Sequence, residues 1–246
     1  MTFSFVIPTK NRPTELATVF DAILAQKRLP DQVIIIDQSS PDKVIKDQLV
    51  PLAKKANIRL DYIHDESING LVQAKAASLQ YNQCDYISFF DDDIVHQPDY
   101  LAAIEDALIA RPEMIGINGV ILNTPNEGLL KRLIFRLTHF GLYKDNRQSV
   151  IRSLKDRISQ PQRVDALSGG LSTWKKEVFD TVTFDTKNKF HAYEDKEFSI
   201  RIERAFPKQM FIVPQDKLYH YHAAGNRQSL LRRTQNDVVE VWKLFK

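Results

Sequence analysis

The stretch Gln32-Val33-Ile34-Ile35-Ile36-Asp37 decides the fold. Four consecutive β-branched apolar residues leave no polar face for water. Such a run reads as a strand covered on both sides, the habit of a central strand in a parallel sheet. Working outward, the flanking segments alternate between strand and helix patterns. Phe3 to Pro8 predicts a short buried strand. Pro13 falls in the first turn of a helix through about Gln26, where the missing N–H has no helical partner to lose. Pro41-Asp42 marks a turn, followed by an amphipathic helix to about Ala56. Ile58 to His64 predicts a third strand. Leu71 to Tyr81 predicts a third helix, with Leu71, Ala74 and Leu79 among its core positions. Tyr86 to Phe90 predicts a fourth strand. This βαβαβαβ order implies a parallel sheet with helices on both faces. Ligands on such sheets bind beyond the carboxyl ends of the strands. Thr9 to Arg12, Asp37 and Asp91 to Asp93 all fall on that edge.

The fourth strand ends in three aspartates, Asp91-Asp92-Asp93. Three adjacent carboxylates repel one another unless they are well solvated or share a cation. Carboxylate oxygens suit Mg²⁺ or Mn²⁺, ions that commonly escort phosphates. A metal-diphosphate site is one reading. An acidic turn that caps the next helix is the other.

The second half is less regular. Gly116 to Leu122 and Met210 to Val213 predict strands. Leu167-Ser168-Gly169-Gly170-Leu171-Ser172 is a run of small residues that lets backbone approach a neighbour closely. Tyr193-Glu194-Asp195 opens a helix continuing through Phe198, Ile202 and Ala205. Leu218 to His222 carries two histidines, and the tail with Val238, Val239, Trp242 and Leu244 has a helical pattern. No internal repeat, low-complexity linker or clear domain boundary interrupts the chain.

Composition narrows the classes. The 246 residues are 43% apolar and 10% aromatic, values of an ordinary globular protein. A net charge of +3 is too small to argue for nucleic acid. The lone cysteine, Cys84, excludes an intramolecular disulfide and a Cys-rich metal site, and reads as a buried, inert thiol. The N-terminus lacks a basic start, and Pro8 and Lys10 cut its apolar run short, unlike a signal peptide. No stretch approaches the roughly 20 apolar residues of a membrane span. A cytoplasmic protein is expected, with membrane-surface contact open.

Five segments carry a family resemblance. They are Val6-Ile7-Pro8-Thr9-Lys10-Asn11-Arg12-Pro13; Ile35-Ile36-Asp37-Gln38-Ser39-Ser40; Asn69-Gly70-Leu71-Val72-Gln73-Ala74-Lys75; Phe90-Asp91-Asp92-Asp93; and Ser168-Gly169-Gly170 followed by Tyr193-Glu194-Asp195-Lys196-Glu197-Phe198-Ser199-Ile200-Arg201. In this order they resemble the inverting family 2 glycosyltransferases of the GT-A fold. The resemblance spans about residues 3 to 205. It implies an α/β, Rossmann-like, three-layer α/β/α fold with a mostly parallel central sheet. One domain would occupy residues 1–246, with a nucleotide-binding half to about 95, an acceptor and catalytic half over about 96–225, and a helical tail over about 226–246.

The resemblance also implies roles. Asp37 would bind the nucleotide base, with Pro8, Thr9 and Arg12 lining the same pocket. Asn69 and Lys75 match a segment where the family usually has arginine; lysine keeps the charge but loses the two-pronged fork. Asp91-Asp92-Asp93 resembles the DXD motif, with Asp91 near the ribose, Asp92 in the variable middle position and Asp93 on Mn²⁺ or Mg²⁺. His220 and His222 stand where relatives place a metal-ligating histidine, and His220 is preferred. Arg227 would hold the diphosphate. Asp195 would be the base that takes the acceptor's proton, with Glu194 orienting the acceptor. Ser168, Gly169 and Gly170 would let backbone approach the transferred sugar. Trp174 offers either a face to the acceptor or a core ring.

The implied function is an inverting, metal-dependent sugar transfer (EC 2.4). The donor would be a UDP-, GDP- or dTDP-sugar. The acceptor would be a hydroxyl of a glycan or lipid-linked molecule, in bacterial surface polysaccharide or related glycan synthesis. Residues 128–163 depart from the matched motifs. There Lys131, Arg132, Arg136, Lys144, Arg147, Arg152, Lys155, Arg157 and Arg163 outnumber Asp145 and Asp156. A basic amphipathic segment of this kind fits an anionic membrane surface. A solvated helix packing its leucines on the core fits equally, and an acidic glycan is a further partner for it. Two other functions compete: a nucleotide-sugar-binding protein without turnover, and a nucleotidyltransferase. Asp195 argues against the first. The absence of glycine from Pro8-Thr9-Lys10-Asn11-Arg12-Pro13 argues against the second.

Overall fold

The computed structural model describes residues 1–123, 146–147, 150, 160–187 and 194–221. Their strands join in a nine-stranded sheet. Its parallel half consists of β1 (Phe3–Thr9), β2 (Gln32–Asp37), β3 (Arg59–His64) and β4 (Tyr86–Phe90), in the order β3-β2-β1-β4. All residues of β1, β2 and β4 are buried, as their unbroken apolar runs require. β3 lies at the edge and exposes Arg59 and His64, which discourages pairing with another sheet. The register sets Thr9 beside Asp37 and Asp37 beside His64, so these side chains share one sheet edge.

Helices α1 (Pro13–Leu24), α2 (Lys46–Lys55) and α3 (Leu71–Ser78) make the crossovers. α1 buries Leu16, Val19, Phe20 and Ile23, a three-and-four spacing that turns one stripe to the sheet. α3 ends at Ser78, and Leu79–Tyr81 completes the expected helix as a 3-10 turn.

The second half comprises β5 (Ile94–His96), α4 (Tyr100–Ala110), β6 (Gly116–Ile121), β7 (Gln162–Arg163), β8 (Leu171–Lys175), α5 (Val178–Thr181), α6 (Glu194–Ala205) and β9 (Met210–His220). β8 pairs antiparallel with β4, and β6 antiparallel with β8. β9 runs parallel to β6, and β5 and β7 add antiparallel to β9. Pairing within the one sheet thus changes from all-parallel to mixed after β4. β5, α4 and β8 extend the elements predicted from sequence. The two short segments expected at Met210–Val213 and Leu218–His222 are bridged by one strand, β9. Its register against β6 shifts between Asn118 and Val120, so that Val213 to Asp216 bulge out. Pro214 sits in that bulge, where it removes no ladder hydrogen bond.

Two apolar layers flank the sheet. Phe3, Phe5 and Ile7 pack with Phe20, Leu101 and Ile104 on one side. Val6, Ile36 and Phe89 pack with Ala74, Trp174 and Phe198 on the other. Full burial of such side chains contributes about 1.5–3 kcal/mol each relative to exposure. Trp174 is 2% exposed, stands edge-on to Phe198, and gives its indole N–H to Ser172 Oγ at 2.8 Å. It is a core ring. Cys84 is buried and unpaired with another cysteine, and burial pushes its thiol up to about 11.

Candidate active site

The site forms where β1, β2 and β4 end. The β4 ladder continues into the triple aspartate, and the Asp91 N–H donates to the Gly170 carbonyl at 3.0 Å. The antiparallel pairing of β5 with β9 sets Ile94 opposite His220. This brings His220 Nε2 to 3.0 Å from Asp93 Oδ1. Asp91, Asp93 and His220 each offer a ligand atom, and these atoms lie within 4.8 Å of one another. Burial raises the Asp91 pKa; Lys75 counteracts this and Asp93 adds to it. A cation held by two carboxylates and an imidazole would relieve that crowding, and the donor set fits Mn²⁺ or Mg²⁺. Asp91, expected near the ribose, thus belongs to the same cluster as Asp93. His222 and Arg227 lie outside the described residues.

Asp92 turns inward. Its Oδ2 accepts from Thr9 Oγ1 at 2.8 Å and its Oδ1 from Arg12 Nη1 at 2.7 Å. Burial raises the Asp92 pKa, against the Thr9 and Arg12 hydrogen bonds. For Arg12, burial lowers proton affinity, but Asp92 and then Asp93 outweigh it and the guanidinium stays above its usual value. Thr9, Arg12 and Asp92 are one network, which ties the end of β1 to the middle of the aspartate run. Pro8 is buried within β1.

Asp37 is 1% exposed. Its Oδ1 accepts from the Ser39 N–H at 2.9 Å, and its Oδ2 accepts from the Tyr62 hydroxyl. Burial and then Asp37 push the Tyr62 phenol well above its usual range. Neighbouring groups complete this edge. Ser39 Oγ accepts from the Asn11 N–H at 2.7 Å, and Gln38 Oε1 accepts from the Gly70 N–H at 2.7 Å. Gly70 has φ 96°, a left-handed conformation that a side chain resists. The Asn69 N–H donates to Gln73 Oε1 at 3.0 Å. Asn11, Gln38 and Ser39 received no role from sequence, although their place directly after strand ends is the signal that would have marked them.

Lys75 is 2% exposed, and its Nζ lies 3.3 Å from Glu194 Oε1. It stands between Asp91 and Glu194 electrostatically, opposing the rise that burial imposes on both. Gly169 and Gly170 thread this cluster. A Cβ at Gly169 would stand 2.6 Å from Glu194 Oε1, and one at Gly170 would stand 2.2 Å from Asp91 Oδ2. Asp195, in the first turn of α6, accepts from the Lys196 N–H through Oδ1 at 2.8 Å. Its Oδ2 meets Arg147 Nη1 at 3.0 Å. A small cavity lies among Lys75, Gly169, Glu194 and Asp195.

Most of the basic stretch at 128–163 lies outside the described residues. Two of its cations are described, and both face protein carboxylates. Arg147 meets Asp195, and Arg163 Nη2 lies 2.6 Å from Glu203 Oε1. Among the described residues no helix is long and apolar enough to cross a membrane.

The family model described as "Glycosyl transferase family 2" matches residues 4–183. No curated protein matches the chain in sequence. Several solved structures share its fold. GalNAc-T7 with UDP, GalNAc and Mn²⁺ superposes with a TM-score of 0.71 at 18% identity, covering 98% of this chain and 48% of its own. Mannosyl-3-phosphoglycerate synthase from Rubrobacter xylanophilus gives 0.65 at 15% identity, covering 99% and 73%. The mannosyltransferase PcManGT from Pyrobaculum calidifontis, in complex with GDP-Man and Mn²⁺, gives 0.64 at 17% identity, covering 99% and 64%. The chain thus spans about half the length of the GalNAc-T7 chain.

Proposed function

The chain belongs to glycosyl transferase family 2 and has the GT-A fold, and from that premise we propose that it is an inverting glycosyltransferase using a nucleotide-diphosphate sugar. One observation carries the reading. The Gly169-Gly170 turn holds the Asp91, Asp93 and His220 cluster against the Glu194-Asp195 pair, with Lys75 between them. On this reading a leaving-group site and a base flank one space.

Asp91, Asp93 and His220 would hold a divalent cation, Mn²⁺ or Mg²⁺, which when bound supplies positive charge against the departing diphosphate. The remaining work falls to the chain itself. Thr9, Arg12 and Asp92 fix the β1 end of the donor pocket, and Asp37 with Gln38, Asn69 and Gly70 shapes its nucleotide side. Lys75 adds positive charge beside Asp91 without the arginine fork. Asp195 takes the proton of the acceptor hydroxyl as its oxygen bonds to the anomeric carbon from the face opposite the diphosphate. The bond from that carbon to phosphate oxygen breaks, and its electron pair leaves with the nucleoside diphosphate. Glu194, whose proton affinity burial raises against the opposing charge of Lys75, orients the acceptor.

The finer reading has a UDP-, GDP- or dTDP-sugar as donor and a glycan or lipid-linked acceptor in bacterial surface polysaccharide synthesis, with the enzyme at the cytoplasmic membrane face. GDP-Man and UDP in structures of the same fold support the donor class, and the basic composition of residues 128–163 supports the acceptor's setting.

The test is the thermal midpoint of the purified protein with UDP-, GDP-, dTDP- and CDP-sugars, with and without Mn²⁺, because a ligand of the native state raises it. Stabilisation by one nucleotide class, dependent on Mn²⁺ and lost in Asp93→Ala, is expected. No shift with any donor at millimolar concentration would move the weight to a non-catalytic role.

A further inference from the structure

One cation bears directly on the proposed base, and no sequence motif marks it. Arg147 belongs by sequence to the basic stretch, where a solvent- or membrane-facing side chain is expected. Its side chain is instead 11% exposed, with Nη1 3.0 Å from Asp195 Oδ2. The same nitrogen donates to Ser168 Oγ at 3.4 Å, beside the Gly169-Gly170 turn.

The neighbours of Arg147 anchor it. Asn146 Oδ1 accepts from the Asp165 N–H at 2.9 Å, and its Nδ2 donates to the Arg163 carbonyl at 3.3 Å. The Val150 N–H donates to the Asn146 carbonyl at 3.0 Å, and Val150 packs against the apolar layer that contains Phe198. The Asn146 side chain thereby ties the residue before Arg147 to the chain that leads into Ser168.

Asp195 is consequently held from two directions. The Lys196 N–H at the start of α6 takes Oδ1, and Arg147 takes Oδ2. A base must keep its accepting lone pair on the acceptor's proton throughout the attack, and a carboxylate free to rotate about its side-chain bonds does so only part of the time. A planar guanidinium fixes a carboxylate better than a flexible ammonium does. On the transferase reading given above, we infer that Arg147 is a positioning residue for Asp195, setting the orientation of the base relative to the sugar site.

The test follows hydrolysis of UDP-, GDP- and dTDP-sugars with Mn²⁺ in the full chain, in which water takes the acceptor's place, bonds to the anomeric carbon and gives its proton to Asp195, comparing wild type, Arg147→Ala, Arg147→Lys and the same changes in an Asp195→Asn background. Misplacement of a reacting group by about 1 Å costs on the order of 100-fold. Arg147→Ala is expected to lower kcat by about 10- to 100-fold while leaving the donor KM within about twofold. Arg147→Lys should fall between the two, and added guanidinium should restore part of the Arg147→Ala rate. In Asp195→Asn, loss of Arg147 should cost nothing further. Should Arg147→Ala fail to fold, the Arg147→Lys comparison in the two backgrounds carries the test. An active wild-type enzyme with an unimpaired Arg147→Ala variant, or an equal loss in the Asp195→Asn background, overturns the inference alone. A wild-type protein that neither releases nucleoside diphosphate from any donor nor gains Mn²⁺-dependent thermal stability with one overturns the transferase reading and the inference with it.

Discussion

Asp37 and Asp92 are carboxylates at the strand-end edge whose oxygens are already engaged by the protein. Asp37 serves the Ser39 N–H and the Tyr62 hydroxyl, and Asp92 serves Thr9 and Arg12. Replacing Asp37 by Asn sets an amide N–H against either the Ser39 N–H or the Tyr62 hydroxyl, whose oxygen already accepts from the Ile45 N–H. A buried hydrogen-bonding group left without its partner costs about 1–3 kcal/mol. Asp37→Asn is accordingly expected to lose that much stability in urea unfolding even without any donor present. Unchanged unfolding, with weakened donor binding alone, would assign Asp37 solely to the nucleotide base. Sequence could not show this, because the deciding partner is Tyr62 on β3, far along the chain. The Asp91 to Asp93 run and Glu194-Asp195 were legible for the opposite reason: each motif is contiguous. The inward turn of Asp92 and the approach of Arg147 depend on residues distant in sequence, and neither was visible.

Elements show the same division. The parallel half was readable because Val33 to Ile36 and Tyr86 to Phe90 are strand runs that the crossover helices cover on both faces. The antiparallel half was not. β5 spans three residues, too short for a periodic signal. β8 begins in a run of small residues that reads as a loop, and β9 contains Pro214, which breaks a strand pattern unless a bulge absorbs it. Yet β8 is the element that brings Gly170 to Asp91. A methyl group there would stand 2.2 Å from Asp91 Oδ2, a separation that real Cβ atoms do not tolerate. Gly170→Ala is therefore expected to displace Asp91 and abolish Mn²⁺-dependent stabilisation by the donor, with the thermal midpoint of the ligand-free protein as control. Normal donor binding in that variant would show that the strand end yields and that the close contact is not needed.

Across the whole molecule, the shared sheet places an acidic group where the mechanism has no use for it. Asp216 lies in the bulge of β9 and is fully buried, with the Tyr100 hydroxyl beside its carboxyl. Burial raises its pKa well above the usual carboxylate value, and the Tyr100 hydroxyl offsets only part of this. The sign follows from proton linkage. A carboxyl whose folded pKa lies above its unfolded value of about 4 keeps its proton in the fold after the unfolded chain has released it. Its contribution to stability is complete below about pH 4 and declines as pH rises toward the folded value. Each unit of pKa difference is worth about 1.4 kcal/mol. The contribution of Asp216 is thus expected to fall as pH rises above about 4, and Asp216→Asn, which buries a neutral amide of the same shape, should remove that fall. Urea unfolding of both proteins across this range decides the matter. An equal slope in the two would mean that Asp216 ionises at little cost, and that the bulge gives its carboxylate a partner such as an ordered water.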